Sequence, residues 1–259
     1  MDTSPQKLTS INSSSHDDTK KRLVEAGLEI FSRYNFEGAS TRMLAEKAGV
    51  NLAAISYHFG GKDGLYLATV QYLINEIQKR AGPLFSLVKK NAPNEAAPQA
   101  LKSSKKTLSK YESFEMICFM INNIAKIMLC SPEARFWQGI LLREEREPTP
   151  AFEILYKEFF GPIKDFLSKL VGDALGRGSS HQKVMITTVT IFGQLTIFRI
   201  ARELIIRSLN WEGYSEKEVE IILDTIFENI RSTLKLERTP IPTAKRLKEI
   251  GGQLEHYLE

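Results

Sequence analysis

The sequence has few cysteines, no long uninterrupted apolar run and no large excess of either charge. Its two cysteines, Cys118 and Cys130, lie in an apolar stretch typical of a helix. We interpret them as buried small side chains in a reducing cytosol rather than as a disulfide. The longest apolar stretch, MITTVTIFGQLTIFRIARELII, is interrupted by Thr, Gln, Arg and Glu, so we expect no membrane span. Because the polar N-terminus lacks the basic start and apolar core of a secretion signal, we expect a cytoplasmic protein.

Patterns typical of catalysis and metal binding are also missing. Four histidines are scattered along the chain: His16, His58, His181 and His256. None has a second histidine or a cysteine three or four residues away, so the sequence predicts no metal site and no cofactor. The motif GGKDG has glycines but does not follow a strand, as a phosphate-binding loop would.

One charged run, REERE at 143–147, contains neighbouring carboxylates. Arginines alternate with them, so we interpret the run as a solvated helix face. The sequence therefore predicts a protein that is not an enzyme. A helical enzyme stays an alternative, which a buried Arg199 beside Glu144 or Glu203 would support.

The overall charge of the chain permits a polyanionic partner without requiring one. The formal net charge is +4, yet residues 1–65 contain eight basic and eight acidic side chains. A non-specific architectural DNA-binding protein would need a strongly basic face, which this balance disfavours. Any nucleic-acid function must therefore depend on a specific motif.

Helical periodicity covers nearly everything after residue 17, and no run alternates polar and apolar residues, so we predict an all-α fold. The first helix is expected to start near Asp17 or Asp18 and to end at NFEG. Ser40 then caps a helix over 41–48, Asn51 caps the next, and a fourth runs from Lys62 or Asp63 toward Arg80. Further helices are predicted over about 100–129, 132–146, 150–175, 181–209 and 215–236, with KKNAPNEAAPQ at 89–99 as a linker or a disrupted helix start.

The predicted domains are a flexible tail at 1–16, a DNA-binding domain at 17–66 with its helix-turn-helix at 40–59, a helical effector-binding and dimerisation domain at 67–236, and an extension at 237–259.

The helices on either side of Gly49 have the spacing of a helix-turn-helix, whose second helix enters a DNA major groove. Ala53 and Ala54 are small enough for the backbone to approach base edges, and their methyl groups can touch a thymine methyl. Similar three-helix units also occur without DNA, which leaves both interpretations open at this point. The candidate DNA-binding residues are Arg42, Asn51, Leu52, Ala53, Ala54, Ser56, Tyr57, His58 and Lys62.

A resemblance favours the DNA-binding interpretation. The segment STRMLAEKAGVNLAAISYHFGGKDGLY resembles the N-terminal domain of TetR-type transcriptional repressors in the order and spacing of TRMLAEKAGV, ISYHF and GKDGLY. The similarity covers roughly residues 18–66. Leu52 departs from the short polar or basic residue common in the family, which favours a thymine-methyl or sugar contact there. The segments LLREEREPTPAFE and IFGQLTIFRIARELIIRSLNW are similar to the CecR-like branch of the family.

The resemblance implies a homodimer that binds a palindromic double-stranded DNA operator and is released by an unknown small-molecule effector. A ligand-dependent activator would use the same parts and stays an alternative. Gln194 and Arg199 interrupt an apolar helix, and either pair across the dimer or with Glu203, or orient a polar ligand. The candidate effector-binding residues are Phe114, Phe119, Met120, Trp137, Phe159, Gln194 and Arg199. The candidate dimer-interface residues are Met185, Val189, Phe192, Ile222, Ile226 and Ile230.

Overall fold

A computed structural model of the chain describes residues 6–91 and 108–254, with side chains described for 17–89 and 108–254. Every regular element in these residues is helical, which confirms the all-α prediction. The helices are α1 Gln6–Gly38, α2 Thr41–Ala48, α3 Ala53–Phe59, α4 Lys62–Ala81, α5 Pro83–Asn91, α6 Lys110–Ala125, α7 Ala134–Arg146, α8 Pro150–Leu155, α9 Gly161–Leu175, α10 Gln182–Ile200, α11 Arg202–Ser208, α12 Glu216–Thr233 and α13 Ala244–Gly252. Two π-helical turns, Lys126–Cys130 and Tyr156–Phe160, continue α6 and α8.

The start of α1 differs from the prediction. The helix begins at Gln6 rather than near Asp17 or Asp18, because residues 6–16 contain neither proline nor glycine to stop it. The tail predicted at 1–16 thus overlaps helical backbone, while residues 1–5 lie outside the described part. The end is as predicted: Asn35 in NFEG has φ of 54° and breaks the helix.

Two further boundaries concern the segment after α4. The helix α5 was not predicted, and it overlaps the start of the linker expected at 89–99. The rest of that linker, and the predicted helical residues 100–107, lie outside the described residues. The described part of the next predicted helix begins at Lys110, where Ser109 caps α6.

The chain divides into two compact units, and the first combines sequence-distant segments. It contains the N-terminal residues up to Glu76 together with Glu133–Lys157, and thus α1 to α3, most of α4, α7 and α8. Within it α7 packs on α1, since a Cβ at Gly139 would lie only 2.7 Å from the Ser32 carbonyl oxygen. The glycine permits this close approach, which ties α7 to the N-terminal helices.

A buried carboxylate fastens α7 to α4 within the first unit. Tyr66 donates a hydrogen bond from Oη to Glu144 Oε1 at 2.5 Å, and Thr149 donates to Oε2 from its N–H and its hydroxyl. Glu144 is fully buried, so the prediction of a solvated face for REERE is wrong at this residue. Burial and the adjacent carboxylate raise the pKa of the Tyr66 hydroxyl well above its usual range, which keeps it a donor.

The second unit contains Ile77–Pro132 and Glu158–Glu259 as far as they are described. Its core surrounds α6, which packs against α9, α12 and α13. Phe114, Ile117 and Met120 of α6 are almost completely buried there. The core also contains Ile191 of α10 and Ile226 of α12.

Two described stretches are long and apolar enough to cross a membrane by length and composition alone, although the sequence analysis expected none. They are Lys110–Cys130 and Gln182–Ile200. The first is 61% buried, as expected for the central helix of a core, whereas the second is only 22% buried. The helix α10 therefore presents apolar surface that the described part of the chain does not cover.

An ion pair attaches α13 to α6 and makes a testable contribution to stability. The completely buried Glu115 accepts hydrogen bonds from Arg246 Nε and Nη2 at 2.6 and 2.7 Å, and from Tyr111 Oη at 2.9 Å. Replacing Arg246 with methionine leaves the carboxylate buried with only the tyrosine as donor. We expect a loss of about 3 kcal/mol in the free energy of unfolding, measured by urea denaturation.

The matched control for that variant is Lys245→Met, which removes an exposed charge from the same helix. It is expected to change the unfolding free energy by no more than about 0.5 kcal/mol. Equal urea midpoints for the two variants would contradict the stabilising role of the pair.

Candidate nucleic-acid interface

The first helix of the motif, α2, is fixed by residues at both ends. The Ser40 hydroxyl accepts a hydrogen bond from the Met43 N–H at 3.2 Å, which caps the N-terminus. Gly49 has φ of 63°, and the next N–H, from Val50, donates to the Ala45 carbonyl at 3.0 Å. These local interactions set the turn after α2 where the sequence predicted it.

The second helix, α3, is anchored on one side and exposed on the other. Asn51 Oδ1 accepts a hydrogen bond from the Ala53 N–H at 2.9 Å and so supplies the predicted cap. Ile55 is 1% exposed and packs into the first unit, whereas Leu52 and Tyr57 are 51% and 72% exposed. The exposed residues of α3 and of the turn before it are uncharged: Asn51, Leu52, Ala53, Ser56 and Tyr57.

The remaining candidates lie around this surface. Ala54 and His58 are half-buried, and the His58 ring lies 4.9 Å from the Tyr57 ring. Arg42 is exposed on the first turn of α2. The structure thus assembles a small uncharged surface with a cation on the neighbouring helix, a composition suited to close approach to a DNA groove.

The structure gives Lys62 a role that the sequence did not indicate, while the phosphate contact stays a prediction. Its ammonium donates hydrogen bonds to the carbonyl oxygens of Phe36 and Ala39 at 2.9 and 3.1 Å. It also lies 4.3 Å from the centre of the Phe36 ring. The side chain therefore holds the segment between α1 and α2 against the start of α4. The sequence pattern could not show this, because the acceptors are backbone atoms far away in the chain.

Three glycines form the junction between α3 and α4. Gly60 and Gly61 have φ of 73° and 139°, which only glycine adopts without strain. Gly64 lies so close to α3 that a Cβ there would be 1.8 Å from the Phe59 carbonyl oxygen. The distance shows that any side chain at 64 must displace the end of α3.

We therefore expect Gly64→Ala to destabilise the first unit by about 2–3 kcal/mol, the usual cost of overpacking, and to weaken DNA binding by moving α3. Thermal unfolding and binding to duplex DNA measure the two effects. Gly38→Ala is the control, since a Cβ there would be 3.5 Å from Asn35 Oδ1, an ordinary contact. Equal stability of both variants would show that α3 and α4 are not held this closely.

The predicted dimer residues separate into two groups. Met185 and Val189 are 45% and 66% exposed, and Phe192 is half-buried. Ile222, Ile226 and Ile230 are instead no more than 2% exposed within the single chain. They cannot serve as interface residues, because the core of their own unit already covers them.

The sequence analysis also missed apolar residues that the structure exposes. Helical periodicity identifies an apolar helix, but it does not show which side its own chain covers. On α10 and α11 the missed exposed residues are Ile186, Ile197 and Leu204; Ile200, which belongs to the predicted apolar pattern of α10, is exposed as well.

The predicted effector residues do not form one cluster. Phe114 and Met120 belong to the closed core, Phe159 is half-buried on a π-helical turn, and Trp137 lies in the first unit. Phe119 alone of the seven lines a cleft in the second unit, between α6 and α13.

The two polar candidates on α10 have local surroundings of their own. Gln194 accepts a hydrogen bond from Asn229 on α12, a contact within the chain. Arg199 is half-buried, and burial lowers the pKa of its guanidinium. Glu203, a predicted partner of Arg199, forms an ion pair with Arg202 at 2.9 Å. In the part of the chain that the structure describes, no group of three or more His, Cys, Asp or Glu could hold a metal ion.

Comparison with known families agrees with this organisation. Residues 23–69 match the model of bacterial regulatory proteins of the tetR family, and residues 115–235 match the C-terminal domain of the HTH-type transcriptional dual regulator CecR. The CecR protein of Shigella flexneri is 26% identical over 210 residues, which cover 81% of this chain and 88% of that protein.

Solved structures show the same fold. A transcriptional regulator from Rhodococcus sp. Rha1 aligns with a TM-score of 0.53 at 17% identity, covering 83% of this chain and 96% of that one. A TetR-like transcriptional regulator from Rhodococcus sp. RHA1 aligns with a TM-score of 0.50 at 14% identity, covering 84% and 96%. With both of its parts matched in order, the chain belongs to the TetR family of DNA-binding transcriptional regulators, in the CecR branch.

Proposed function

We propose that this regulator is a cytoplasmic homodimeric repressor that binds a palindromic operator and is released from it by a small molecule. The observation that supports it most is the exposed uncharged surface of α3. Ile55 anchors that helix while Ala53 and Tyr57 on the other side point to solvent. Such a surface has little use in a folded unit unless something approaches it closely.

The surface suits direct contact with DNA. The small side chain of Ala53 lets the N-terminal end of α3 enter the major groove, and Leu52 adds a contact to a thymine methyl. Ser56 and Tyr57 offer hydroxyls to phosphates or base edges, and Arg42 reaches the flanking backbone. The half-buried Ala54 and His58 border this contact.

Dimerisation is supported by the uncovered side of α10. An apolar stripe along this side consists of four residues that are each about half exposed or more: Ile186, Val189, Ile197 and Ile200. Between them lies Gly193, where a Cβ would meet nothing within 4 Å, so a second helix has room to approach. We propose that the same stripe of a second copy covers it, and that the dimer so formed binds the two half-sites of a palindrome, which lie about one DNA turn apart, roughly 34–36 Å.

Effector release requires that one conformation of the dimer binds the operator and another binds the ligand better. Helix α4 is common to both units, since its residues up to Glu76 belong to the first and its last turn to the second. A ligand that shifts the end of α4 can therefore move α3 through the Gly64 junction. The coupling is expected to be about 1–3 kcal/mol.

A ligand-dependent activator is the second candidate. The similar protein from Shigella flexneri is named a dual regulator. In this chain, an activator would use the same DNA-binding surface as a repressor. Repression and activation differ in where the operator lies relative to a promoter, which no residue of this chain determines.

A reporter gene behind an operator selected from a random duplex pool tests the proposal. Sedimentation of the complex gives the number of chains bound to each duplex. A repressor lowers transcription when the chain is present, and two chains bind each palindromic site. Raised transcription would favour the activator. A single chain that binds the full site with full affinity would contradict the dimer.

A further inference from the structure

A cleft of about 320 Å³ lies in the second unit. Its apolar wall includes Leu84, Phe119 and Leu247, and its polar wall includes Asn122, Lys126 and Lys248. No acidic side chain is among the residues that line it. The cleft depends on α13, which lies beyond both family matches, because they end at residues 69 and 235. The α13 side of the cleft therefore lies outside the segments on which the family assignment rests.

Among the described residues, those that line the cleft carry positive charge and no carboxylate. Within the described part of the chain, neither Lys126 nor Lys248 forms an ion pair with a carboxylate. The nearest acidic residue along α13, Glu249, lies 3.8 Å from Arg246 instead. Two lysines among the residues that line one cleft, with no acidic residue among the others, favour a ligand that carries an anionic group.

Backbone dipoles add to this preference. Ala244 is the first residue of α13 and lines the cleft, so the positive end of that helix faces the same space. The end of α4 and the start of α5 also border it, but they meet at Gly82 and their opposite dipoles offset one another. The net field at the cleft thus comes from the lysines and α13.

The apolar part of the cleft is kept open by an absent side chain. A Cβ at Gly251 would lie 3.3 Å from Phe119 Cε2, a tight contact at the edge of the cleft. Lys126 opens a π-helical turn, a distortion that often marks a functional site in a helix. Of these two features, the glycine at 251 is the one that leaves space beside Phe119.

We propose that this cleft binds a small amphipathic anion, a carboxylate on a short apolar chain. Lys126 and Lys248 bind the carboxylate, Asn122 donates to it from its amide, and Leu84, Phe119 and Leu247 contact the apolar chain. The volume is at the lower end for ligand pockets, which suits a compound of about ten non-hydrogen atoms. The inference rests on the proposed function only for its effect on DNA.

Titration calorimetry of the full chain with three probes of equal chain length tests the site: octanoate, 1-octanol and octylammonium. We expect octanoate to bind roughly tenfold more tightly than either of the others. The variant K126M/K248M should lose roughly tenfold in octanoate affinity, whereas K245M, on the exposed side of α13, should bind as the unchanged chain does. Unchanged thermal unfolding shows that the variants are folded. Equal binding of the three probes, or undiminished octanoate binding by the double variant, would overturn the proposal.

Adding octanoate to the complex with DNA separates this site from the proposed function. Binding of octanoate that lowers operator affinity supports both. Binding that leaves operator affinity unchanged supports the site and contradicts its role in release. Release of the operator by another compound, with no binding of octanoate, overturns the site and leaves the proposed function intact.

Discussion

Replacing Ala53 with tryptophan should reduce operator affinity to the level of non-specific DNA, a loss on the order of 10³-fold or about 4 kcal/mol. Ala53 is exposed at the start of α3, where the backbone is proposed to approach base edges. An indole ring there would hold the helix away from the groove floor. The fold has no reason to change, because the side chain points to solvent. Fluorescence anisotropy with the selected operator measures the loss.

Two variants control for size and for folding. Ala53→Ser keeps the residue small and should bind within a few-fold of the unchanged chain. Asn75→Trp places the same ring at an exposed position on α4, away from the proposed contact, and should bind normally. Tight operator binding by Ala53→Trp would show that this end of α3 does not enter the groove.

Placing aspartates at Ile186 and Val189 should convert the dimer to monomers and weaken operator binding by a comparable amount. These side chains are 57% and 66% exposed in the single chain, so the folded monomer tolerates the change. In the proposed interface, each buried carboxylate would cost several kcal/mol. Sedimentation velocity at micromolar concentration gives the oligomeric state directly.

The control is Gln182→Asp, an exposed position at the start of α10 where an acidic residue suits the helix dipole. It should remain dimeric. A dimeric Ile186→Asp/Val189→Asp variant would place the interface elsewhere. If the unchanged chain associates and only detergent abolishes this association, the stripe of α10 contacts lipid rather than a second copy.

The helix-turn-helix could be predicted from sequence because its determinants are local. Ser40, Gly49 and Asn51 each fix a helix end within a few residues, and the structure shows all three doing so. The exposed residues Tyr57 and Ala53 follow from the same register. Short-range hydrogen bonding therefore made most of this candidate DNA-binding surface predictable.

The interactions that sequence analysis did not predict depend on residues far apart in the chain. The hydrogen bonds from Lys62 to the carbonyls of Phe36 and Ala39 were not predicted, because those acceptors are more than twenty residues away. Glu144 was expected in solvent, but Tyr66 from another helix buries it. A charged residue in a charged run gives no signal of such a partner.

The prediction that both apolar helices contribute to the dimer interface was wrong for α12, for a related reason. Both α10 and α12 show strong apolar periodicity, which is typical of a core and of an interface alike. The structure distinguishes them, because Ile226 is 2% exposed whereas Val189 is 66% exposed. The cleft between α6 and α13 was likewise beyond sequence reasoning, since its walls come from segments far apart in the chain.

The central claim is that this chain recognises a specific palindromic sequence as a dimer. Selection of bound sequences from a random duplex pool, followed by titration of the enriched site against salt, tests it most directly. We expect an inverted repeat with half-sites about one helical turn apart, and an affinity for it that exceeds the affinity for random DNA at every salt concentration. If no sequence is enriched and the pool binds only at low salt concentration, the chain does not recognise a specific palindrome.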